Sequence, residues 1–273
     1  MPDNACKPGA EFVEPRVLPA AGLLDPAFCV HNLATRITLR NGVVIAIRRP
    51  DRGPPVLIFD CNGVLVDSEA IAATVASQEL TRAGVKMSPE IVSRFFAGRR
   101  PGDMVADVEI ATKRKLPPDF SENLAAATIR RLRAELRATP HMEYALTWLR
   151  GPKCVASSSP HPRVRMSLES TGLYRFFEPY VFSASDVPKG KPSPDLFLHA
   201  AQRMGVSPAE CIVVEDSPAG ISAATAAGMK SVGFIGGTHT GPNLGAYLTS
   251  AGARVVIADM RALKSAVVAL RGW

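Results

Sequence analysis

Six short apolar runs recur from residue 56 onward: VLIFD (56–60), KCVAS (153–157), YVFSA (180–184), CIVVED (211–216), SVGFIG (231–236) and RVVIAD (254–259). They lack the strict polar alternation of a half-exposed strand, and near-continuous apolar runs of this length are the pattern of strands buried on both faces. Helical text separates the later runs. Ser193-Pro194 opens one predicted helix that Gly205 closes, and Ser217-Pro218 opens another that Gly228 closes. In both, Ser is the expected N-cap, Pro the first helical residue and Gly the residue just past the end. Strands that alternate with helices predict an α/β fold with a doubly wound, Rossmann-like parallel sheet.

The text between Asp60 and Lys153 is far longer than one crossover helix requires. It reads as four helical stretches: EAIAATVASQELTRAG (69–84), SPEIVSRFFAG (88–98), DMVADVEIATKRK (103–115) and DFSENLAAATIRRLRAEL (119–136). The expectation is an all-α cap domain, 69–140, inserted into a core made of 55–68 and 141–273. Its natural place is over the carboxyl ends of the strands, where open α/β sheets bind ligands. Residues 1–54 read as an extension of unknown role, disordered in part, with a hairpin around Asn41-Gly42 in RITLRNGVVIAIRRP.

Composition narrows the function classes. Among 273 residues, 47% hydrophobic and 21% charged, no apolar run approaches the ~20 residues of a membrane span. The first residues carry no secretory pattern. The five cysteines are scattered and without C-x-x-C spacing, which fits a reducing cytoplasm and argues against a zinc site or disulfide framework. The net charge is +7, but residues 94–137 mix ten basic with six acidic side chains and few aromatics, the pattern of a solvated helical face rather than a nucleic-acid groove. A modest positive field suits small anionic substrates. No membrane association and no obligate protein partner is expected.

The apolar runs end on polar groups. Asp60, Ser157 and the pair Glu215-Asp216 close three of them, and Lys191 follows YVFSA. In a parallel sheet these ends share one edge, so three carboxylates, a hydroxyl and an ammonium converge in one crevice. Carboxylates from separate strands repel one another unless a cation sits among them, and oxygen ligands suit Mg2+. A carboxylate aimed at a phosphate that such a cation neutralises can attack phosphorus.

Four segments in order carry a resemblance. FDCNGVLVDSE, VASSSP, KGKPSPDLF and VVEDSPAGISAATAAGM resemble the four motifs of the haloacid dehalogenase superfamily, in the subfamily with a helical cap that includes phosphoglycolate phosphatase and β-phosphoglucomutase. The similarity covers roughly Val56 to Asp259. It implies that Asp60 is the nucleophile and a magnesium ligand and that residue 62 gives the metal its backbone carbonyl. Ser157 would bond the phosphate, with Ser158 and Ser159 beside it as substrate contacts. Lys191 would bridge phosphate and nucleophile, and Asp216, with Glu215, would hold the metal. Arg99 and Arg100 fall in the substrate-reading turn of the cap. Asp67 is expected to fix its loop, Asp103 to cap a cap helix, and Cys61 to lie in a packed layer. The five histidines show no ligand spacing.

One position departs from the family pattern. Phosphatases of this family usually carry Asp as the second residue after the nucleophile, where it protonates the leaving oxygen and then activates water. Here it is Asn62. An amide keeps shape and backbone carbonyl but neither donates an acid proton nor acts as a base. The resemblance thus implies a Mg2+-dependent phosphatase of a small phosphorylated metabolite (a sugar phosphate or phosphoglycolate-like compound), slowed at Asn62. The alternatives are a phosphometabolite-binding protein without turnover and, lower in rank, a mutase or a dehalogenase. SEAIAATVAS lacks the histidine a β-phosphoglucomutase carries there, and a dehalogenase has no use for the Glu215-Asp216 pair.

Overall fold

The computed structural model describes residues 33–38, 44–48, 53–96 and 101–271. The chain divides into two units, 1–52 and 53–273. In the first, β1 (Leu33–Thr38) and β2 (Val44–Arg48) pair antiparallel with Thr38 opposite Val44. These are the strands of the expected hairpin. Its turn at Asn41-Gly42, and the expected disorder of the first residues, lie outside the described residues.

The second unit is built on one parallel sheet. Its strands are β3 (Val56–Phe59), β4 (Lys153–Ser157), β5 (Val181–Ser183), β6 (Cys211–Glu215), β7 (Lys230–Phe234) and β8 (Val255–Ile257), in the order β5-β4-β3-β6-β7-β8. Each matches an apolar run of the sequence. β3 is wholly buried, and its residues alternate between two cores. Leu57 and Phe59 face the cluster that holds Met142, Leu146, Leu168, Leu263 and Leu270. Val56 and Ile58 face the one that holds Leu196, Phe197, Ala200 and Ala224. Helices therefore cover both faces, as a doubly wound sheet requires. The chain runs from β3 to β4 on one side and returns to β6 on the other, so β3 and β6 flank the switch point where such sheets open a crevice.

Between β3 and β4 lie α1 (Glu69–Arg82), α2 (Pro89–Phe96), α3 (Pro101–Thr112) and α4 (Phe120–Glu135). They bury their own cluster, with Leu80, Val92, Val108, Phe120 and Leu124 at its centre. This is the inserted all-α layer. The chain enters and leaves it side by side: Asp67 N–H donates to the Arg137 carbonyl, and Thr139 N–H to the Leu65 carbonyl, both at 3.0 Å. Asp103 lies inside the first turn of α3 and not at its cap, because the helix already begins at Pro101.

The remaining helices are α5 (Met142–Trp148), α6 (His161–Ser170), α7 (Asp195–Arg203), α8 (Pro218–Ala226), α9 (Leu244–Ala251) and α10 (Leu263–Arg271). α8 starts as its sequence predicts, with Ser217 Oγ accepting from Gly220 N–H at 3.1 Å. α7 starts one residue later than expected. Pro194 is the N-cap, and the Ser193 hydroxyl instead donates to the Asp195 carboxylate at 2.6 Å. Among the described residues no helix is long and apolar enough to cross a membrane.

Candidate active site

Asp60 follows the last residue of β3, and its N–H still donates to Val214 O at 3.0 Å, which fixes it at the strand's carboxyl end. Lys191, Glu215 and Asp216 arrive from the loop after β5 and from the end of β6. All four residues are almost completely buried, at 6%, 3%, 1% and 4% exposure. Lys191 Nζ donates to Asp60 Oδ1, to Glu215 Oε1 and, at 3.2 Å, to the Ala156 carbonyl. One cation thus ties three strand ends together.

Burial drives the Asp60 carboxyl well above the usual range. The Lys191 charge opposes this, and the Glu215 and Asp216 charges add to it. Burial would pull the Lys191 ammonium down, but Asp60 and Glu215 outweigh it and hold the group protonated. Burial also lifts Asp216, to about 6, against the lowering hydrogen bond from His239.

Glu215, expected beside the metal, has both oxygens engaged elsewhere. Oε1 accepts from Lys191. Oε2 accepts from Asp216 N–H, Ser217 N–H and the Ser217 hydroxyl, each at 2.9 Å. Its geometry is that of a clamp on Lys191 and on the start of α8. Gly220 makes room for it: a Cβ at that position would stand 1.9 Å from Glu215 Oε1.

The Asn62 amide is held at both ends. Nδ2 donates to Ser159 Oγ at 2.8 Å, and Oδ1 accepts from Ser68 Oγ at 3.2 Å. No hydrogen bond to its main-chain carbonyl is found among the described residues. Gly63 then turns the chain with φ +78°, and a Cβ there would fall 1.9 Å from Asp216 Oδ2. This close approach accounts for the glycine of the Asn-Gly pair. Asp67 Oδ1 accepts from Thr238 N–H (3.2 Å) and Thr238 Oγ1 (2.9 Å), so it pins the loop after β7, in keeping with the fixing role expected of it.

Ser157, Ser158 and Ser159 are buried at the end of β4. Ser157 Oγ accepts from Ser159 N–H at 3.2 Å, and the Ser159 carbonyl accepts from Ser183 Oγ at 2.8 Å, which shapes the loop as a tight cup. Asp60, Asn62, Ser158 and Ser159 line one cavity of ≈ 310 Å³ that reaches to α1, α2, α3 and α4. Arg99 and Arg100 lie outside the described residues.

Three residues of this region escape a reading of the motifs. His239 Nε2 stands 2.9 Å from Asp216 Oδ2, with both side chains 5% exposed. Burial pushes its imidazole down, but the hydrogen bond to Asp216 and that carboxylate's charge lift it to about 9. It sits in GGTHT, the loop after β7, so its position at a strand end was the available signal. Glu69 and Arg163 line the cavity. Glu69 opens the first cap helix directly after the first motif, and Arg163 lies in the first turn of α6, just beyond VASSSP.

A cation is consistent with these groups. Asp60 and Asp216 are hard carboxylates, the charges of Asp216 and Glu215 raise the proton affinity of Asp60, and a metal ion among them would remove that cost. Among the described residues no group of three or more His, Cys, Asp or Glu side chains forms a metal cage.

A buried carboxylate at a strand end, a buried lysine beside it, an acidic pair on the neighbouring strand and a helical layer over the crevice together form the pattern of a hydrolase of the haloacid dehalogenase type. The family model "haloacid dehalogenase-like hydrolase" matches residues 54–228, and the chain belongs to that family. The 6-phosphogluconate phosphatase of Escherichia coli (strain K12) is 31% identical over 187 residues, covering 68% of this chain and 85% of the relative. A solved haloacid dehalogenase-like protein of Agrobacterium tumefaciens superposes with TM-score 0.72 at 40% identity, covering 80% of this chain and all of that one. A family hydrolase of Deinococcus radiodurans, solved with bound phosphate and sodium, gives TM-score 0.65 at 30% identity over 81% of this chain and 98% of its own.

Proposed function

We propose that the chain is a Mg2+-dependent phosphomonoester phosphatase that works through an aspartyl-phosphate at Asp60 and is slowed by Asn62. The observation that carries this reading is the buried triangle of Asp60, Lys191 and Glu215 at the cavity's end of the sheet. One Asp60 oxygen is held by Lys191, leaving the other to attack phosphorus as the bond to the leaving oxygen breaks. Lys191 carries a proton throughout and balances charge on the phosphoryl oxygens. Glu215 keeps Lys191 in place, a role that differs from the metal contact its motif implies. Ser157 donates its hydroxyl to the phosphate, with Ser158 and Ser159 shaping the cup. Asp60, Asp216 and the Asn62 carbonyl would hold Mg2+, which when bound would neutralise charge on the phosphate. Water then attacks phosphorus, inorganic phosphate leaves, and Asp60 is restored.

Two relatives support this class: one is named for a phosphorylated sugar acid, and the other was solved with phosphate. A phosphorylated sugar is the substrate that the first of these names suggests. The cap on this reading is 69–140, moving on the paired crossings at residues 65–67 and 137–139.

At Asn62 the leaving oxygen finds an amide N–H and no acid. Lost acid–base help costs roughly 10²–10⁴-fold in rate. The test is phosphate release from an activated aryl phosphate with Mg2+, with chelator, and by Asp60→Asn. Turnover that chelator and Asp60→Asn both abolish supports the reading. Binding without turnover supports a phosphometabolite-binding protein, and equal turnover in the variant removes the mechanism.

A further inference from the structure

The cavity wall facing the phosphoryl site is apolar. Ala76, Val92, Phe96, Met104, Leu124 and Ile129 line it from the cap, with Ser93 as one hydroxyl among them. Thr128 also lines it, but its hydroxyl donates to Leu124 O of its own helix at 2.7 Å. The charged side chains of the lining other than Asp60 are Glu69 and Arg163, and among the described residues neither stands in an ion pair. The Arg163 Nε is buried with no hydrogen-bond partner.

From this lining we infer that the substrate is a phosphomonoester of an apolar, phenol- or enol-type alcohol carrying at most a polar substituent or two, and not an open polyol. The inference rests on the phosphatase reading and replaces the sugar with a different leaving group. Two independent features lead to it. First, each sugar hydroxyl buried against alanine, valine, leucine or phenylalanine loses its water partners and finds none in return. An aromatic body instead removes apolar wall from water. Arg163 offers a donor and Glu69 an acceptor, which sets where a ring carboxylate or hydroxyl fits. Second, Asn62 supplies no proton, and both ends of its amide are already engaged by Ser159 and Ser68. A phenolate or enolate leaves without a proton, whereas a sugar alkoxide does not. The chemistry is the same displacement: Asp60 forms the new bond to phosphorus, the bond to the aryl oxygen breaks with its electron pair, and the oxygen takes its proton from solvent afterwards.

The experiment has two arms. Calorimetry on Asp60→Asn with Mg2+ measures the affinity of naphthyl phosphate and of glucose 6-phosphate. Phosphate release by the wild-type chain gives kcat/KM for both. Naphthyl phosphate is expected to bind at least ~10-fold tighter and to turn over with kcat/KM at least ~100-fold higher. Ile129→Asn, which puts a polar group in the wall, should cut the binding preference severalfold. Glucose 6-phosphate bound as tightly as naphthyl phosphate overturns the inference and leaves the phosphatase reading intact if either is hydrolysed. Tighter naphthyl phosphate binding without hydrolysis of either compound removes the phosphatase reading and leaves the cavity's preference standing. Binding of neither compound, together with hydrolysis of neither by the wild-type chain, removes both.

Discussion

His239 Nε2 and Asp216 Oδ2 lie 2.9 Å apart, buried together at the end of the sheet, and no motif of the sequence joins them. The imidazolium balances a carboxylate that would otherwise be stranded beside Asp60 and Glu215. Removing one partner of such a pair costs about 3 kcal/mol or more. In metal-free protein, His239→Ala should lower Tm by about 6 °C or more. Added Mg2+ should narrow the gap, because a divalent ion takes over the same carboxylate. Thermal melts with and without Mg2+ measure both. A Tm unchanged in metal-free protein would show that the pair carries no weight.

Lys191 is the other buried cation, and two carboxylates depend on it. Lys191→Met keeps an unbranched apolar side chain and deletes the ammonium, which stands 5.0 Å from the centroid of the Phe197 ring. We expect loss of phosphate release below detection together with a lower denaturation midpoint at neutral pH, since Asp60 and Glu215 then face each other without a counter-ion. Wild-type stability in the variant, read by urea titration, would mean that the carboxylates find another partner.

Gly220 gives a test in which two effects oppose each other. It lies in helix α8, where alanine is ordinarily favoured by ~0.5–1 kcal/mol. A Cβ there would meet the Glu215 carboxylate at 1.9 Å. Gly220→Ala should therefore destabilise the chain and impair turnover by displacing the clamp on Lys191. A stabilised variant with full activity would show that helix propensity wins and that Glu215 moves freely.

Burial raises the thiols of Cys61 and Cys154 far above their ordinary value, and that of Cys211 to about 11. Thiolates are the reactive form, so iodoacetamide at mildly alkaline pH should leave these three unmodified until the chain unfolds. Peptide mass mapping of native and urea-unfolded samples decides it. Labelling of Cys61 in native protein would contradict its place in the packed layer.

The sheet was legible because its strands are buried on both faces. Without polar alternation, the runs stand out from the surrounding helical text, and each strand fell within a few residues of its run. The four-motif order placed Asp60, Ser157, Lys191 and Asp216 on one edge, and the structure brings Asp60, Lys191 and Asp216 into one buried cluster. What escaped was set by three-dimensional approach. Glu215 carries the acidic signature of a metal ligand, yet its oxygens are taken by Lys191 and the start of α8, a competition that spacing does not reveal. His239 reaches Asp216 from a loop beyond the fourth motif, on a strand whose end carries no other charged group. Pro194 displaced Ser193 as the cap of α7, and Pro101 moved the start of α3 ahead of Asp103. The apolar wall of the cavity is made of ordinary helix-core residues, which periodicity assigns to packing.

The central claim is that the site is a complete phosphatase scaffold in which Asn62 alone removes acid–base catalysis. Its surroundings already suit a carboxylate, since Ser68 and Ser159 both have hydroxyls that can donate to one. Deamidation is a control to be met by intact mass, although the Gly63 N–H that would have to attack is held by Val66 O at 2.7 Å. The decisive measurement is phosphate release by wild type and Asn62→Asp from an alkyl and an activated aryl phosphate in parallel. Asn62→Asp should raise alkyl-phosphate turnover ~10²-fold or more and change aryl-phosphate turnover little. Alkyl turnover that stays unchanged in a verified Asn62→Asp sample, while the aryl ester is still hydrolysed, would contradict the claim.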